Sequence, residues 1–298
     1  MAKRIFLFLL LNAAVILTIS VLLRVLGVQP YLTERGIDYG SLMAFCLVWG
    51  MGGAFISLAL SRVMAKAMMR IQVVDPQTRD PLGQELLQTV GRLASAAGLP
   101  MPQVGIYQSD DVNAFATGPT RNRSLVAVSS GLLRKLGRDE VEGVLGHELT
   151  HVANGDMVTM TLLQGVVNAF VMFLARVIAF AVAQGMRRDD SQNVSFGVYF
   201  AVQIGLEIVF MILGSIVVAS FSRWREFRAD AGGAHLAGRD RMVRALTALK
   251  RDVESVTPTS AAPAFAALRI SNRGGWIRLF ASHPPLDERI ARLEQMAV

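Results

Sequence analysis

The sequence contains very little cysteine, since Cys46 is the single one among 298 residues. A lone cysteine excludes any intramolecular disulfide framework, so nothing favours export into an oxidising compartment. Charged residues are also scarce, at 18%, against about 25% in soluble globular domains. This scarcity excludes an intrinsically disordered chain, which is polar and highly charged, and argues against an ordinary soluble domain.

Signals for nucleic-acid binding are missing as well. The formal net charge is +7, but no basic run is interleaved with aromatic residues and no nucleic-acid-binding motif occurs. Residues 222–298 carry 13 Lys and Arg against 8 Asp and Glu, a balance that suits a surface close to anionic lipid headgroups. We therefore expect a lipid bilayer, and no nucleic acid, among the partners.

The hydrophobic residues, 52% of the chain, are clustered in four stretches: 5–23, 41–60, 157–182 and 194–221. At 1.5 Å per residue each helix would be long enough to cross a hydrocarbon core of about 30 Å. The first stretch is interpreted as a retained transmembrane helix and not a signal peptide, because Arg24 follows it without a small-residue cleavage site.

The third and fourth stretches each contain one charge, Arg176 and Glu207. A charge at mid-membrane is costly, so both should face protein or water, and they would pair if the two helices are antiparallel neighbours. The alternative is a sheltered hairpin that does not cross the membrane fully.

Basic residues mark one side of the membrane under the positive-inside rule. They flank the apolar stretches at Lys3, Arg4, Arg62, Lys66, Arg70, Arg223, Arg225 and Arg228, whereas the linkers 24–40 and 184–193 are neutral. The prediction is a multi-pass membrane protein with a cytoplasmic N-terminus. Its predicted parts are a membrane hairpin (1–61), a cytoplasmic part (62–156), a second membrane hairpin (157–221) and a second cytoplasmic part (222–298).

The remaining segments predict a small α+β domain. Short β-type runs occur at 104–107, 114–117 and 125–129, separated by turn-rich spacers, and predict a small, mostly antiparallel sheet of about three strands. Apolar positions at helical spacing predict helices in five segments: 82–98, 139–153, 224–236, 239–253 and 286–296.

One motif predicts metal chemistry. Residues 147–151 read His-Glu-Leu-Thr-His inside the helical stretch 139–153. Histidines at positions i and i+4 project from one helix face, so His147 and His151 can both reach one ion. Glu148 lies beside them, where its carboxylate can take a proton from water. The alternative is a surface helix on which the two histidines are incidental.

A catalytic zinc site needs a third protein ligand and one open position. Glu226 is the candidate, because it opens a polar helical segment just after the fourth apolar stretch. Asp230 follows one turn later on the same face, where it could accept a hydrogen bond from a ligand histidine and fix its tautomer. The alternative is that both carboxylates merely pair with neighbouring arginines.

Together these motifs resemble the HtpX family of heat-shock-induced bacterial membrane proteases, relatives of the CAAX prenyl protease Ste24 and of mitochondrial Oma1. The resemblance rests on residues 147–151, on residues 226–230 and on the placement of the four apolar stretches. It implies a helical membrane protein with a zincin-type α+β domain beside the active-site helix. It also implies one Zn²⁺ bound by His147, His151 and Glu226, with Glu148 as catalytic base.

Two further segments match motifs of that family. Residues 113–116 (Asn113, Ala114, Phe115 and Ala116) resemble an edge strand along the cleft, to which an extended substrate would add by main-chain hydrogen bonds. His283 lies in a Ser-His-Pro-Pro segment that resembles the C-terminal histidine motif, where it would donate to the oxyanion of the attacked carbonyl. The alternatives are an ordinary strand and a capping or packing histidine.

The predicted function is therefore a zinc endopeptidase that cleaves damaged or misfolded membrane proteins on the cytoplasmic side, in stress-linked quality control. Other quality-control proteins of the membrane are candidate partners. A CAAX-type processing peptidase stays open, although four apolar stretches are fewer than the prenyl protease has. A zinc sensor or transporter also stays open, although transporters hold their ligands at mid-membrane.

Overall fold

The computed structural model describes residues 36–186, 196–255 and 279–296, with 17–19, 21, 23–26 and the backbone of 32–33. Most of the first apolar stretch, most of the linker 184–193 and nearly all of the predicted loop 255–267 lie outside the described residues. The described residues of the first stretch, 17–19, 21 and 23, are helical.

The elements follow one another in this order: β1 (Leu32–Thr33), β2 (Gly36–Ile37), α1 (Tyr39–Met69), β3 (Gln72–Val73), α2 (Pro81–Ala96), β4 (Gln103–Tyr107), β5 (Ala114–Thr117), β6 (Leu125–Ser129), α3 (Ser130–Lys135), α4 (Arg138–Asn154), α5 (Asp156–Gly185), α6 (Phe196–Ala237), α7 (Arg239–Ser255) and α8 (Leu286–Gln295). The helices and strands that the sequence predicts within the described ranges are confirmed except for the division of α6, whereas β1, β2, β3 and α3 are not predicted by it.

Helix α6 differs from the sequence prediction. The sequence predicts an apolar stretch to residue 221 and a separate polar helix from 224, but the structure has one helix of 42 residues. Between Gly214 and Gly232 the chain has neither glycine nor proline, so no residue interrupts the backbone hydrogen bonding. The polar segment that carries Glu226 therefore belongs to the same helix as the fourth apolar stretch.

The chain divides into two compact units, of which the first comprises Met1–Ser57 and Met160–Val218. Within the described residues, α1, α5 and α6 are long and apolar enough to cross a membrane. In this unit Arg176 Nη1 donates to Glu207 Oε1 at 2.7 Å, as the sequence predicts. The Arg176 guanidinium also lies 5.5 Å from the centre of the Phe45 ring, so the intramembrane charge is partnered.

The second unit, Leu58–Thr159 and Ala219–Val298, contains a four-stranded sheet in the order β3-β4-β6-β5. The pairs β3/β4 and β5/β6 are antiparallel, whereas β4 and β6 are parallel. The predicted count of about three strands is thus short by one. A strand of two residues is too short to show an alternating pattern in the sequence. Strand β5 lies at one edge of the sheet.

Helices α2 and α4 contribute to the main core of this unit together with the sheet. Its fully or nearly fully buried members include Leu86, Val90, Leu93, Val104, Val126, Val128, Leu132, Leu145, Leu149 and Val152. Leu145 and Leu149 alternate with the two histidines of α4 at helical spacing. Burial of its apolar side chains therefore fixes the rotation of α4 and the direction in which His147 and His151 point.

Helix α4 crosses the last turns of α6 at very short range. A Cβ on Gly146 would lie 3.0 Å from Ala237 Cβ, and one on Gly233 would lie 3.0 Å from the His147 nitrogen. A Cβ on Gly232 would collide with the Thr150 side chain. These glycines let the two backbones approach, so that side chains of α4 and α6 meet within bonding distance of a shared ion.

Candidate active site

The two histidines of α4 form one half of the site. His147 and His151 are each only 8% exposed, and their ring centres lie 4.6 Å apart. Their Nε2 atoms are 3.1 Å apart. Two imidazole lone pairs that converge at this distance suit a shared cation between them.

Glu226 of α6 completes the group from the opposite helix. Its carboxylate oxygens lie 3.5 Å from His147 Nε2 and 3.3 Å from His151 Nε2, and the residue is 1% exposed. A tetrahedral ion with bonds of about 2.0–2.1 Å would separate its ligand atoms by about 3.3 Å. The three spacings thus fit a small metal ion, and these residues can hold one.

The other nitrogen of each imidazole contacts a carboxylate. His147 Nδ1 lies 3.0 Å from Asp230 Oδ1, and His151 Nδ1 lies 2.6 Å from Asp156 Oδ2. A carboxylate at Nδ1 accepts that N–H and leaves the Nε2 lone pair for a metal. The structure thus brings Asp230 to the histidine where the sequence analysis expects an acceptor.

Asp156 is a residue that the sequence analysis missed. It follows Gly155, whose φ of +69° ends α4 in the left-handed conformation that glycine favours, and it opens α5. The turn carries the chain back so that the Asp156 carboxylate faces the last turn of α4. An acidic residue directly after the helix-ending Asn-Gly pair is the signal that could have identified it.

Two arginines were also missed. Arg289 of α8 is 6% exposed and donates to both oxygens of Asp230, at 2.8 Å from Nε and 2.6 Å from Nη2. Arg225 Nη2 donates to Glu226 Oε1 at 3.2 Å. Arg289 reaches the site from a helix far along the chain, so no local pattern in the sequence indicates this contact.

Burial and hydrogen bonding act in opposite directions on the titratable groups. Burial opposes the charged form of His147, but its hydrogen bonds with Asp230 and Glu226 outweigh burial and raise its pKa to about 9. Burial would raise the pKa of Glu226, but hydrogen bonds from His147, His151 and His283 hold that pKa well below its usual value. Glu226 is therefore ionised, and a proton and a metal compete for the imidazole lone pairs.

With neutral imidazoles, the formal charges of the site sum to a negative value. The charged side chains around the two histidines are Glu148, Asp156, Arg225, Glu226, Asp230 and Arg289. Four carboxylates and two guanidinium groups leave a formal charge of −2 when the imidazoles are neutral. A divalent cation would cancel this charge, which agrees with the ligand spacing.

Glu148 contacts the edge strand of the sheet. Its Oε2 accepts a hydrogen bond from the Ala116 N–H at 2.9 Å. The Asn113 carbonyl accepts from the Ser129 N–H towards β6, and hydrogen bonding alternates along an antiparallel pair. The backbone groups of Ala114 and Ala116 therefore point to the free edge, on the side of Glu148.

His283 also reaches the site. Its Nδ1 lies 2.8 Å from Glu226 Oε2, and its side chain is 47% exposed. It borders a cleft of about 390 Å³ that Asn113, Ala114 and Glu148 also line. Six of the residues that the sequence analysis named for the site line this cleft: Asn113, Ala114, His147, Glu148, Glu226 and His283. His151 and Asp230 do not line it but contact His147, and Phe115 and Ala116 of the edge strand do not line it either.

Two histidines on one helix that could share a metal ion with a carboxylate from a second helix, beside a glutamate facing an open cleft, are typical of a metallopeptidase. Comparison of the sequence with known protein families identifies the family of this chain. Residues 82–297 match the model of peptidase family M48. The chain belongs to this family.

Relatives of the same length support this assignment. The chain is 51% identical to the "Protease HtpX" of Thioalkalivibrio sulfidiphilus over 300 residues, which cover 99% of both chains. It is 50% identical to a "Protease HtpX homolog" of Bacillus licheniformis over 302 residues, again 99% of both. The resemblance found in the sequence is confirmed, and with its apolar helices the chain is a membrane metallopeptidase acting on polypeptides.

The fold also matches a solved structure. The crystal structure of S. mikatae Ste24p superposes with a TM-score of 0.62 at 18% identity, covering 98% of this chain. This chain spans 64% of the length of Ste24p. At this identity the likeness supports the fold alone, and it confirms the predicted fold class of a helical membrane protein with a metalloprotease domain.

Proposed function

We propose that this chain is a zinc-dependent endopeptidase of the bacterial inner membrane that cleaves damaged or misfolded membrane proteins on the cytoplasmic side. The observation that carries the proposal is the convergence of two Nε2 atoms, 3.1 Å apart, on the Glu226 carboxylate, whose Oε2 lies 3.5 Å from His147 Nε2 and whose Oε1 lies 3.3 Å from His151 Nε2. Three ligands of this kind with one open position are the usual set of a catalytic zinc site.

In this proposal His147, His151 and Glu226 hold one Zn²⁺, while Asp230 and Asp156 fix the two imidazole tautomers. When bound by these residues, zinc would supply the Lewis acidity that activates water and a peptide carbonyl at neutral pH. Arg289 and Arg225 neutralise part of the carboxylate charge and keep Asp230 and Glu226 in place.

Glu148 serves as the general base. Its carboxylate faces the cleft, accepts the proton of the attacking water and passes it to the leaving amine. The hydrogen bond from the Ala116 N–H fixes this carboxylate at the substrate edge. The base is thereby aligned with a peptide that lies along the strand.

The substrate adds to strand β5 in extended form. The outward-facing backbone groups of Ala114 and the Ala116 carbonyl bind its main chain, within the segment from Asn113 to Ala116, so that recognition depends little on sequence. His283 lies across the cleft, where its imidazole would donate to the oxyanion that forms as the carbonyl is attacked.

The membrane arrangement is part of the proposal. Residues 1–61 and 157–221 form two membrane hairpins, and residues 62–156 and 222–298 form the cytoplasmic protease. The distribution of basic residues supports this orientation. The partnered Arg176 and Glu207 support a second hairpin buried in lipid, because together they avoid an uncompensated charge there.

Metal removal tests the chemistry. Purified protein treated with a chelator should lose cleavage of an unfolded polypeptide such as casein, and one equivalent of Zn²⁺ should restore it. Metal analysis checks the stoichiometry, and Mg²⁺ serves as the control, since a hard cation prefers oxygen ligands. Full activity in the zinc-free protein would contradict the proposal.

Cysteine labelling tests the orientation. A Cys46→Ala chain with cysteine in place of Asp189 should react with a membrane-impermeant maleimide added to intact cells, because residue 189 lies between the third and fourth stretches. Cysteine in place of Asp110, on the proposed cytoplasmic side, is the control and should react only after lysis. Labelling of the two positions in the reverse order would contradict the proposed topology.

A further inference from the structure

The short segment before α8 lies against helix α6. It runs from Leu279 to His283. Pro284 and Pro285 follow it and lead into α8, the helix that carries Arg289. His283 contacts Glu226 near the end that leads into α8. A second contact, made by Arg223, holds the other end.

Arg223 binds the backbone of this segment at two points. Its Nη1 donates to the Leu279 carbonyl at 3.0 Å and to the Ala281 carbonyl at 2.7 Å. Its Nη2 donates to Ser220 Oγ at 2.8 Å, one turn earlier on α6. The guanidinium is therefore oriented by its own helix while it holds two carbonyls of the neighbouring segment.

Arg223 and Glu226 lie on the same face of α6, three positions apart, so one helix face holds the segment at both ends. A guanidinium is suited to holding two carbonyls because it is planar and presents several N–H donors in a fixed geometry. A lysine ammonium lies on a flexible stem, and its donors have no fixed orientation. The position of His283 is thus set relative to the helix that carries Glu226.

We propose that Arg223 is a positioning residue for His283: it fixes the Leu279–His283 segment on α6 and so places the His283 imidazole at the cleft. This inference rests on the proposed function, in which His283 acts on the reacting carbonyl. The contacts of Arg223 that carry this proposal are those with the Leu279 and Ala281 carbonyls and with Ser220 of its own helix.

Loss of Arg223 should misplace His283 without removing it. Because small displacements of a group that acts in the transition state are costly, Arg223→Ala should lower kcat about 10- to 100-fold. KM and zinc stoichiometry should stay within about twofold, since the substitution removes neither a backbone group of the edge strand nor any of the three proposed metal ligands. The kcat of Arg223→Lys should lie between those of the wild type and Arg223→Ala, because one ammonium group cannot reproduce the oriented donors of the guanidinium.

The test combines kinetics with hydrogen exchange on the full-length protein in detergent. Amides of residues 279–283 should exchange faster in Arg223→Ala than in the wild type. The matched control is Arg228→Ala on the same helix, whose guanidinium lies over the Trp224 ring at 4.8 Å. That variant should leave both the exchange and kcat unchanged.

A double-mutant cycle gives the decisive comparison. If Arg223 acts through His283, the double variant Arg223→Ala/His283→Ala should be no slower than His283→Ala alone. Additive losses would overturn the proposal, as would wild-type exchange in Arg223→Ala or an unimpaired kcat in His283→Ala. If Arg223→Ala does not fold, Arg223→Gln, which keeps a donor and removes the charge, takes its place.

These outcomes are separable from the fate of the proposed function. Cleavage without zinc would remove the proposed function while leaving the exchange measurement to report on the attachment of the segment. Zinc-dependent cleavage with unchanged exchange in Arg223→Ala would leave the proposed function intact and overturn the role of Arg223.

Discussion

Glu148→Gln is expected to lose cleavage while it keeps its zinc. Glutamine has the shape of glutamate, but its amide cannot take the proton of the attacking water. General-base catalysis contributes about 10²–10⁴-fold, so kcat should fall by that factor. The amide oxygen can still accept the Ala116 N–H bond that Glu148 accepts at 2.9 Å, so the edge strand should stay in place.

The measurement pairs casein cleavage with metal analysis on the same preparation. Glu142→Gln is the matched control, because Glu142 lies on the same helix and pairs with Arg92 and Arg241 away from the cleft. It should keep both zinc and activity. Cleavage by Glu148→Gln at the wild-type rate would remove Glu148 from the mechanism.

The second large effect is expected at the third ligand. Glu226→Gln keeps the size of the side chain but replaces an ionised carboxylate with a weak neutral ligand. Zinc binding in protein sites is worth about 10–16 kcal/mol, so one ligand in four accounts for about 3–4 kcal/mol. Zinc affinity should therefore fall about 10²–10³-fold, and activity at limiting zinc should fall with it.

The same substitution should lower the free energy of unfolding. Glu226 is 1% exposed and faces His147, His151, His283, Arg225 and Arg289. Removing one partner from a buried charge cluster costs about 3–5 kcal/mol. Competition with a chelator measures the affinity and thermal unfolding measures the stability.

Glu254→Gln is the control for the ligand variant. Its carboxylate is 61% exposed and makes only a long contact of 3.9 Å with Lys250. Exposed pairs contribute about 0–1 kcal/mol, so zinc affinity and stability should not change measurably. Equal zinc affinity in Glu226→Gln and the wild type would show that the third ligand lies elsewhere.

The length of a helix or strand decides whether a local sequence pattern can predict it. Helices α2, α4, α7 and α8 and strands β4 to β6 have enough residues to show their periodicity, and each is predicted within a few residues. Strand β3 has two residues, and no pattern of that length can be read. The sequence analysis divides helix α6 at residue 221 because hydropathy changes there. The structure has one helix, because no glycine or proline interrupts the backbone hydrogen bonding at that point.

In the candidate site too, contacts between residues close in sequence can be predicted, whereas contacts between separate helices cannot. His147, Glu148 and His151 are adjacent on one helix, so a local spacing is enough to place their side chains on one face. Asp156 is also near in sequence, but its role depends on the left-handed turn at Gly155 that reverses the chain. Arg289 contacts Asp230 from another helix, and only the packing of α8 brings it there.

The apolar stretches and the histidine pair can be predicted from the sequence alone, because hydropathy and helical spacing are properties of neighbouring residues. Spacing left two interpretations of Glu226 open, as a metal ligand or a partner of nearby arginines, and the tertiary structure places its carboxylate beside the two histidines as well as beside Arg225. The close crossing of α4 and α6 at Gly146, Gly232 and Gly233 brings its carboxylate within 3.5 Å of both imidazoles. Distances between separate helices depend on backbone approach, and that approach is set by packing in three dimensions.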